Sequence, residues 1–168
     1  IYRDLAGMSL HKRGYRTKIH KSSLNETVAA AMLYMAGSTP DRLLASTTEQ
    51  HAEGTLIVDP CVGSGTLLLE AALLDMQVAP GLFRRDFVFE SWPDFESEVF
   101  EKALDDAFER VRDKPKYKYL GSDIHGGALS LAKDGVRMAG LAKYECFELV
   151  QSDVADLIVD PDKEKVAL

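Results

Sequence analysis

The sequence predicts an α/β fold, built on a parallel sheet with helices on both faces, because one pattern occurs twice. In each occurrence, a segment suited to a strand ends in an aspartate, and two glycines and a helix-forming segment follow. The first is residues 56–58 before Asp59, and the second is residues 117–122 before Asp123. A strand buried on both faces has no need to alternate apolar and polar residues. Because open α/β sheets bind ligands at the carboxyl ends of their strands, both aspartates are candidate binding residues.

The turn after Asp59 is the most informative segment of the chain. Gly63 and Gly65 lack a Cβ atom, so the backbone can bend sharply there and approach a ligand closely. The helix that begins near Ser64 directs its free N–H groups and its positive end toward the same place. This geometry suits a ligand that carries an ammonium, for Asp59, and a carboxylate, for the loop amides. The competing interpretation is a tight strand-to-helix turn in which the glycines serve packing only.

Two other nucleotide-binding motifs are disfavoured. The chain has no G-x-x-x-x-G-K-[ST] segment, which excludes a phosphate-binding P-loop. The dinucleotide fingerprint requires a third glycine where Leu68 stands. A nucleotide-binding oxidoreductase therefore has only the acid at the end of the second strand in its favour.

Composition limits the class of protein. The 168 residues suffice for one domain, and 46% apolar with 28% charged residues is ordinary for a soluble globular protein. No apolar run reaches the roughly 18 residues that span a bilayer, and the histidines show no zinc-ligand spacing. Cys61 and Cys146 lie in different elements, which favours reduced thiols and a cytoplasmic protein. The first residues contain neither an initiator methionine nor a signal peptide, so we expect a piece of a longer chain.

Charge is distributed unevenly along the chain. The net charge is −7, which argues against a generally basic nucleic-acid-binding surface. Residues 1–21 nevertheless carry six basic side chains and one acidic side chain, and we expect them to form an extended arm or a hairpin. This basic N-terminal arm either contacts phosphates or is a solvated, flexible segment, and the sequence leaves both interpretations open.

Helix signals follow the arm. Ser23 to Glu26 fit a capping box, in which Ser23 is the N-cap and Glu26 reaches back to it, and the helix is predicted to stop near Gly37. The helix after the glycine loop is predicted to last to about Met76. Within it, Glu70 either orients the loop or is a solvated helix residue, and the second interpretation is favoured.

Residues 79–116 are predicted to be an insertion between the first strand–helix unit and the second strand. An aromatic-rich patch with two interleaved arginines occurs there. It either stacks on RNA bases or forms a satellite hydrophobic cluster, and the second is favoured. Its members are Phe83, Arg84, Arg85, Phe87, Phe89 and Trp92. An amphipathic helix follows, whose acidic face should repel RNA.

Residues 59–72, Asp-Pro-Cys-Val-Gly-Ser-Gly-Thr-Leu-Leu-Leu-Glu-Ala-Ala, resemble the S-adenosylmethionine loop of the amino-type methyltransferases. They are most similar to the RNA methylase family, whose members modify guanine N2 in ribosomal or transfer RNA. Three further stretches match the bacterial large-subunit ribosomal RNA guanine-N2 methyltransferases of that family. They are Ser-Leu-His-Lys-Arg-Gly-Tyr-Arg at 9–16, Leu-Asn-Glu-Thr-Val-Ala-Ala-Ala at 24–31 and Ala-Pro-Gly-Leu at 79–82. The resemblance extends from about residue 4 to about residue 156.

The resemblance implies a Rossmann-like class I methyltransferase fold with S-adenosylmethionine as cofactor. This chain would hold a partial parallel sheet, the first three strands in the order 3-2-1, with the third strand at residues 144–150. The cofactor-binding residues that it implies are Asp59, Cys61, Gly63 and Gly65 in the loop, Glu26 near the methionine end, Asp123 at the ribose hydroxyls and Asp153 at the adenine amino group. Simpler alternatives are a helix cap for Glu26 and Asp123 and a turn residue for Asp153. A lysine is usual in the family where Asn25 stands.

The implied function is methyl transfer from S-adenosylmethionine to guanine N2 of ribosomal RNA in the full-length parent. Family members hold the target amine with an Asn-Pro-Pro-Tyr motif, and this chain has none, since Asn25 is its only asparagine. We therefore expect residues 22–168 to be the cofactor-binding half of a methyltransferase domain, with no catalytic residue and no activity alone. The alternatives are an amino-methyltransferase that acts on DNA adenine or protein glutamine, or a non-catalytic cofactor-binding or interaction module.

The predicted strand order also implies an exposed sheet edge. In such proteins the first strand lies in the middle of the sheet, so the side that meets a fourth strand should here be unpaired. An edge of apolar residues such as Leu56 and Val58 invites pairing with another chain. Two copies could associate through it, or the tail after Asp153 could fold back to cover it.

Overall fold

The computed structural model describes residues 2–16, 23–37 and 55–159, together with the backbone of residues 166–167. The strands in these ranges are β1 (Leu56–Asp59), β2 (Lys118–Asp123), β3 (Phe147–Gln151) and β4 (Val166–Ala167). The α-helices are α1 (Glu26–Met35), α2 (Thr66–Asp75), α3 (Ser97–Glu109) and α4 (Gly126–Met138). Within the described ranges, no helix has the length and apolar character that a membrane crossing requires.

The sheet has the order β3-β2-β1-β4, and every strand pair in it is parallel. The predicted order of the first three strands is therefore confirmed. β1 pairs with β2 along its whole length, beginning with Leu56 opposite Lys118. β3 begins later than predicted because residues 142–144 form a 3-10 turn and Glu145 has a φ of 52°. That left-handed conformation lies outside the β region, so it delays the start of the strand.

The exposed side of β1 is covered along its first half by the tail of the chain, which is one of the two alternatives that the sequence left open. β4 pairs with Leu56 and Ile57 through Val166 and Ala167, so the tail of the chain folds back over this part of the strand. Backbone N–H and C=O groups of an apolar strand thereby find partners within the same chain. Pairing between two copies stays a prediction, and it now concerns the part of β1 beyond Ile57.

α2 is the buried centre of the molecule, because eight of its ten residues are buried. A helix that is apolar around most of its circumference belongs in a core rather than at a surface. Leu68, Leu69 and Leu73 of α2 join the main cluster of buried hydrophobic side chains. Tyr119 of β2 belongs to the same cluster, and its ring stacks on that of Phe147 of β3 at 4.8 Å between centroids.

The prediction that Glu70 is a solvated helix residue is wrong, since only 3% of it is exposed. The Tyr15 hydroxyl donates to its Oε1 at 2.7 Å, and the Arg13 guanidinium lies 3.3 Å from its Oε2. Burial, reinforced by the Glu70 charge, raises the pKa of Tyr15, so this hydroxyl stays protonated and donates. A buried carboxylate is costly unless charge and hydrogen bonds compensate it, and the arm supplies both. The interpretation of the arm as a flexible segment therefore fails for residues 13–16.

α1 is capped by Asn25 and not by Ser23, so the predicted capping box is wrong. The Asn25 side chain accepts hydrogen bonds from the backbone N–H groups two and three residues later, at 2.9 and 3.4 Å. Asparagine is as good an N-cap as serine, and this cap makes the helix begin at Glu26. The Glu26 carboxylate is free of any capping role and pairs with Arg16 at 3.1 Å.

The end of α2 is tied to the start of β2 by Asp75. Its buried carboxylate accepts the backbone N–H groups of Lys116 and Tyr117 at 2.8 and 3.2 Å and the Tyr119 hydroxyl at 2.9 Å. Burial raises the pKa of Asp75, and these donors, with Arg112 at 3.4 Å, act in the opposite direction. The anchor sets where β2 enters the sheet, and hence where Asp123 at its far end lies.

The aromatic-rich segment forms a hydrophobic cluster with α3, as favoured from the sequence. Four rings pack against one another with centroids 5.0 to 5.9 Å apart, those of Phe87, Phe89, Phe95 and Phe100. Arg84 donates to the carbonyl oxygens of Ala6 and Met8 at 2.7 and 2.8 Å. The Arg3 guanidinium lies 3.9 Å from the centre of the Trp92 ring. These contacts within the chain engage Arg84 and the rings of Phe87, Phe89 and Trp92, which the RNA-stacking interpretation invoked.

Candidate functional site

The glycine loop, residues 60–65, joins β1 to α2 and is held against the end of β2. The backbone N–H of Val62 donates to the carbonyl oxygen of Ser122 at 2.8 Å. The Ser122 hydroxyl donates in turn to the carbonyl oxygen of Pro60 at 3.0 Å. The loop is therefore fixed by the neighbouring strand before any ligand arrives, which reduces the ordering cost of binding.

Gly63 and Gly65 are required by the conformation of this loop. Their φ angles are 55° and 81°, in the left-handed region that residues with a Cβ adopt only with strain. A Cβ atom on Gly65 would also lie 3.0 Å from the Cβ atom of Ala132 in α4. A Cβ atom on Gly63 would have no neighbour nearer than the carbonyl oxygen of Cys61, at 4.0 Å. Glycine is therefore favoured at position 63 by its left-handed backbone rather than by a close contact, whereas both reasons apply at Gly65.

Asp123 holds the glycine loop from the end of β2. Its Oδ2 accepts the backbone N–H of Gly63 at 2.9 Å, and its Oδ1 accepts that of His125 at 2.8 Å. Asp123 is thus more than a cap of α4, because it bridges the two strand ends. A carboxylate offers about four lone-pair sites, so capacity for two ligand hydroxyls remains.

The N-terminus of α2 supplies the remaining amide donors of the loop. The amides of Gly63 and Gly65 are already used, by Asp123 and by the carbonyl oxygen of Val62 at 2.8 Å. The first helical hydrogen bond runs from the N–H of Leu69 to the carbonyl oxygen of Gly65. The N–H groups of residues 66–68 therefore have no acceptor within the helix and carry its positive end. These three amides of the first helical turn are therefore candidate donors to a ligand carboxylate, together with the Ser64 amide of the loop.

Asp59 ends β1 beside Asp123. Its Oδ1 accepts the backbone N–H of Cys61 at 3.1 Å. Burial, with a smaller contribution from the charge of Asp123, raises the pKa of Asp59. Two carboxylates at adjacent strand ends make this site suited to a ligand that carries positive charge.

A cavity of about 780 Å³ lies over these strand ends and the start of α2. It is lined by Ser23, Leu24, Asp59, Cys61, Val62, Gly63, Ser64, Thr66, Leu67, Asp123, His125, Gly127, Ala128 and Leu131. Among the described residues, the lining contains two carboxylates and neither lysine nor arginine, with apolar side chains from α2 and α4 on its walls. Four of the predicted cofactor residues, Asp59, Cys61, Gly63 and Asp123, are brought together here.

Asp153 lies beside this cavity, in a depression of about 280 Å³ that shares Cys61 and Asp123 with it. The Asp153 Oδ1 accepts the backbone N–H of Ala155 at 2.9 Å, which is the turn role foreseen as the alternative. The segment that follows β3 is linked to the end of β2 by the Ser152 N–H, which donates to the Asp123 carbonyl oxygen at 3.2 Å. Asp153 is therefore positioned next to the cavity while it also caps its own turn.

Glu26 is not among the described residues that line the cavity. Its carboxylate faces Arg16, whose guanidinium also donates to the Ser64 hydroxyl at 2.9 Å. Gly65 is likewise absent from the lining and shapes the loop from behind. Arg16 and Ser64 were not among the residues predicted to belong to the site. The available signal was that Arg16 closes the 9–16 stretch that resembles the methylase family.

An open parallel sheet, a glycine loop after its first strand and two strand-end carboxylates facing one cavity define a class I methyltransferase domain. The chain belongs to the family of RMKL-like methyltransferase domains, whose model matches residues 13–166. The resemblance inferred from the sequence is thereby confirmed.

Similar proteins extend this result. The chain is 41% identical over 139 residues to the ribosomal RNA large subunit methyltransferase K/L of Legionella pneumophila (strain Corby), an alignment that covers 82% of this chain and 18% of the relative. Two solved structures each match 93% of this chain at 31% identity with a TM-score of 0.73. One is SMU.472, assigned as a methyltransferase and complexed with SAH, and the other is assigned as an N6-adenine-specific DNA methylase of Listeria monocytogenes. This chain spans 36% and 37% of their lengths.

Proposed function

We propose that this chain is the S-adenosylmethionine-binding part of an RNA methyltransferase, and that the complete enzyme methylates guanine N2 of ribosomal RNA. The observation that carries the proposal is the anionic cavity at the ends of β1 and β2, in a chain that belongs to a methyltransferase family. The name of the Legionella relative supports ribosomal RNA as substrate. A ribosomal substrate in turn implies a cytoplasmic location.

The residues present fit this cofactor. The volume of about 780 Å³ is ordinary for a small-molecule site. Asp59 would hold the ammonium group of the cofactor, and the first-turn amides of α2 its carboxylate. Asp123 would accept the ribose hydroxyls, and Asp153 would meet the adenine amino group from the adjoining depression. Cys61, Gly63 and Gly65 would shape the floor of the site, and Glu26 would act through Arg16 rather than by contact.

The work of these residues is positioning and electrostatic stabilisation. S-adenosylmethionine supplies a methyl group on a sulfonium, which is already a good electrophile, so the protein has to align the acceptor amine with it. Asp59 and Asp123 offset the positive charge of the cofactor. The prefolded glycine loop fixes its amino-acid end. We assign no catalytic residue within these 168 residues.

Calorimetric titration of the chain tests the cofactor assignment. We expect saturable binding of S-adenosylmethionine and of its demethylated product, S-adenosylhomocysteine, with no comparable binding of a nicotinamide dinucleotide. Preferred binding of the dinucleotide would contradict the assignment and favour an oxidoreductase. Absence of binding by a chain that circular dichroism shows to be folded would contradict it as well.

Methylation of DNA adenine is the second candidate function, because one of the similar structures is assigned that activity. A chimera tests the cofactor role in an active enzyme, with residues 13–166 of this chain replacing the matching segment of the Legionella relative. We expect transfer of labelled methyl groups to large-subunit ribosomal RNA, and loss of transfer by a folded chimera would contradict the cofactor role. Because the relative supplies the acceptor site of this chimera, the two candidates are distinguished by the product of the complete enzyme, which is N2-methylguanine in ribosomal RNA or N6-methyladenine in DNA. The unmodified relative is the matched control.

A further inference from the structure

The cavity has two walls that are distant in sequence. One wall contains Ser23 and Leu24, just before α1, and the other contains Ser64 and Thr66, at the start of α2. A direct link joins them, because the Ser64 hydroxyl donates to that of Ser23 at 3.2 Å. A single hydrogen bond between two neutral hydroxyl groups adds little net stability, because each group can bond to water instead.

Arg16 of the basic arm joins the same two walls through one planar guanidinium group. Its Nη1 donates to the carbonyl oxygen of Leu24 at 3.1 Å and lies 3.1 Å from Oε1 of Glu26. Its Nη2 donates to the Ser64 hydroxyl at 2.9 Å. The rigid fork of an arginine fixes the relative positions of the groups that it contacts, which a flexible lysine does not.

This arrangement is buried and charge-compensated. The Arg16 side chain is 9% exposed, and that of Glu26 is 7% exposed. Water therefore cannot replace these contacts easily, and removal of one partner would leave an uncompensated charge on the other. Glu26 thereby holds the guanidinium in place while the guanidinium holds the two walls.

A second contact between the arm and α2 has similar chemistry but no contact with the cavity. Arg13 and Tyr15 hold the carboxylate of Glu70, and the Arg13 and Glu70 side chains are 10% and 3% exposed. None of these three residues is among those that line the cavity. Two buried arginine–glutamate pairs thus join neighbouring elements in the described ranges, and of these two only the Arg16 pair reaches the walls of the cavity.

We propose that Arg16 is a positioning residue for the cofactor site: it fixes the segment before α1 against the glycine loop, so that the cavity is formed before the cofactor binds. The proposal rests on the proposed cofactor function. It assigns the arm a role in the affinity of the site, whereas the sequence suggested only contact with phosphates or none. By linkage, cofactor binding should also stabilise the arm at residues 15 and 16.

The test compares Arg16→Met with the matched control Arg13→Met in the 168-residue chain. Both variants keep most of the apolar stem and remove one buried guanidinium beside a glutamate. We expect Arg16→Met to raise the dissociation constant for S-adenosylmethionine by about tenfold or more, the effect of losing charge-assisted bonds. Arg13→Met should lower the unfolding midpoint in urea but change the dissociation constant by less than about threefold. Titration at a temperature where both variants are fully folded separates affinity from stability.

Two further measurements distinguish positioning from general stabilisation. Ser64→Ala combined with Arg16→Met should weaken binding by less than the product of the two single effects, because both remove the same link. Hydrogen exchange at residues 15 and 16 should slow when S-adenosylmethionine binds the unmodified chain. Should Arg16→Met fail to fold, Arg16→Lys retains the charge without the fork, and we expect it to weaken binding in the same direction.

Equal effects of the Arg16 and Arg13 variants on affinity would overturn the proposal, as would unchanged affinity in a folded Arg16 variant. If the proposed cofactor function itself were wrong, the result would be different, because the unmodified chain would then not bind S-adenosylmethionine at all.

Discussion

Asp59 and Asp123 end adjacent parallel strands, yet their surroundings give them different roles. Asp123 accepts two backbone N–H groups, one from the glycine loop and one from the start of α4, so it organises the site as well as facing the cavity. Asp59 accepts one, from Cys61, and burial raises its pKa. Asp59 is therefore the residue whose charge a bound cation would stabilise most.

Asp59→Ala should weaken S-adenosylmethionine binding by about 1–3 kcal/mol, the range for the loss of a charged hydrogen bond. Calorimetry of the folded variant measures this, and an unchanged affinity would remove the residue from the site.

The affinity for S-adenosylmethionine should also depend on pH through Asp59. As the pH is lowered, Asp59 becomes protonated and loses the charge that binds the ammonium. Because burial raises the pKa of Asp59, this loss of affinity should begin at a higher pH than the ordinary aspartate pKa of about 3.9 implies. The Asp59→Asn variant should lack that component of the pH dependence.

Asp123→Asn should reduce cofactor affinity by about tenfold or more. The amide that replaces the carboxylate has only one oxygen, so its NH₂ group would face a backbone N–H of Gly63 or His125. The variant is compared with the unmodified chain in titrations of the cofactor and of a 2′,3′-dideoxyribose analogue. The analogue should bind the unmodified chain more weakly than the natural cofactor. If it bound both proteins as well as the natural cofactor does, the ribose assignment would be wrong.

The two elements that precede β1, the arm and α1, depend on contacts with α2. Tyr15 and Arg13 compensate a glutamate inside the core, and Arg16 compensates another at the start of α1. Local sequence signals were misleading here, because Ser23 and Glu26 have the spacing of a capping box. Asn25 is the N-cap of α1, and the Glu26 carboxylate pairs with Arg16 of the arm.

Asn25→Ala should lower the free energy of unfolding by about 0.5–2 kcal/mol, the effect of losing an N-cap. Urea denaturation followed by circular dichroism measures this. Ser23→Ala is the control and is compared in a Ser64→Ala background, which removes the hydroxyl that donates to Ser23; it should then cost less, because the Ser23 hydroxyl makes no cap. A larger loss for Ser23→Ala than for Asn25→Ala in that background would restore the capping box and contradict the observed helix start.

At the scale of the whole molecule, three parallel strands of the class I fold are completed by a short fourth strand from the tail. β4 contributes only two residues, yet it satisfies backbone groups of Leu56 and Ile57 that would otherwise form an apolar edge. The packing around α2 is linked to that edge, because Ile57 of β1 packs against the hydrophobic cluster that α2 forms with the arm, the glycine loop, α4 and strands β2 and β3.

Deletion of residues 160–168 should uncover this edge and promote self-association, because unpaired backbone groups of an apolar strand invite another strand. Light scattering at tens of micromolar should show a larger mean mass for the shortened chain than for the complete 168 residues. Hydrogen exchange at Leu56 and Ile57 should quicken in any monomer that remains. A shortened chain that stays monomeric, with unchanged exchange at these residues, would show that β4 does not protect the edge.

These 168 residues should bind the cofactor without transferring its methyl group to RNA. The family resemblance assigns the target amine to an Asn-Pro-Pro-Tyr motif, and the sequence contains none. Incubation with labelled S-adenosylmethionine and guanine-containing RNA should leave the RNA unlabelled, with the Legionella relative as the positive control. Measurable transfer by this chain alone would contradict the prediction and require an acceptor site built from other residues.

The sequence by itself determined the parallel α/β fold and the meeting of Asp59, Gly63 and Asp123 at one cavity, and the family resemblance implied the order of the first three strands. The fold and the site follow from local patterns, since a strand, a strand-end acid and a glycine turn are adjacent in the chain. The tertiary structure alone decided the partners of Glu70 and Glu26 and the anchoring of the arm, and it decided which of the two foreseen covers protects β1. Those features join residues far apart in sequence. A buried glutamate looks like a solvated one until the fold brings its arginine beside it, because burial and compensation are properties of the packed chain.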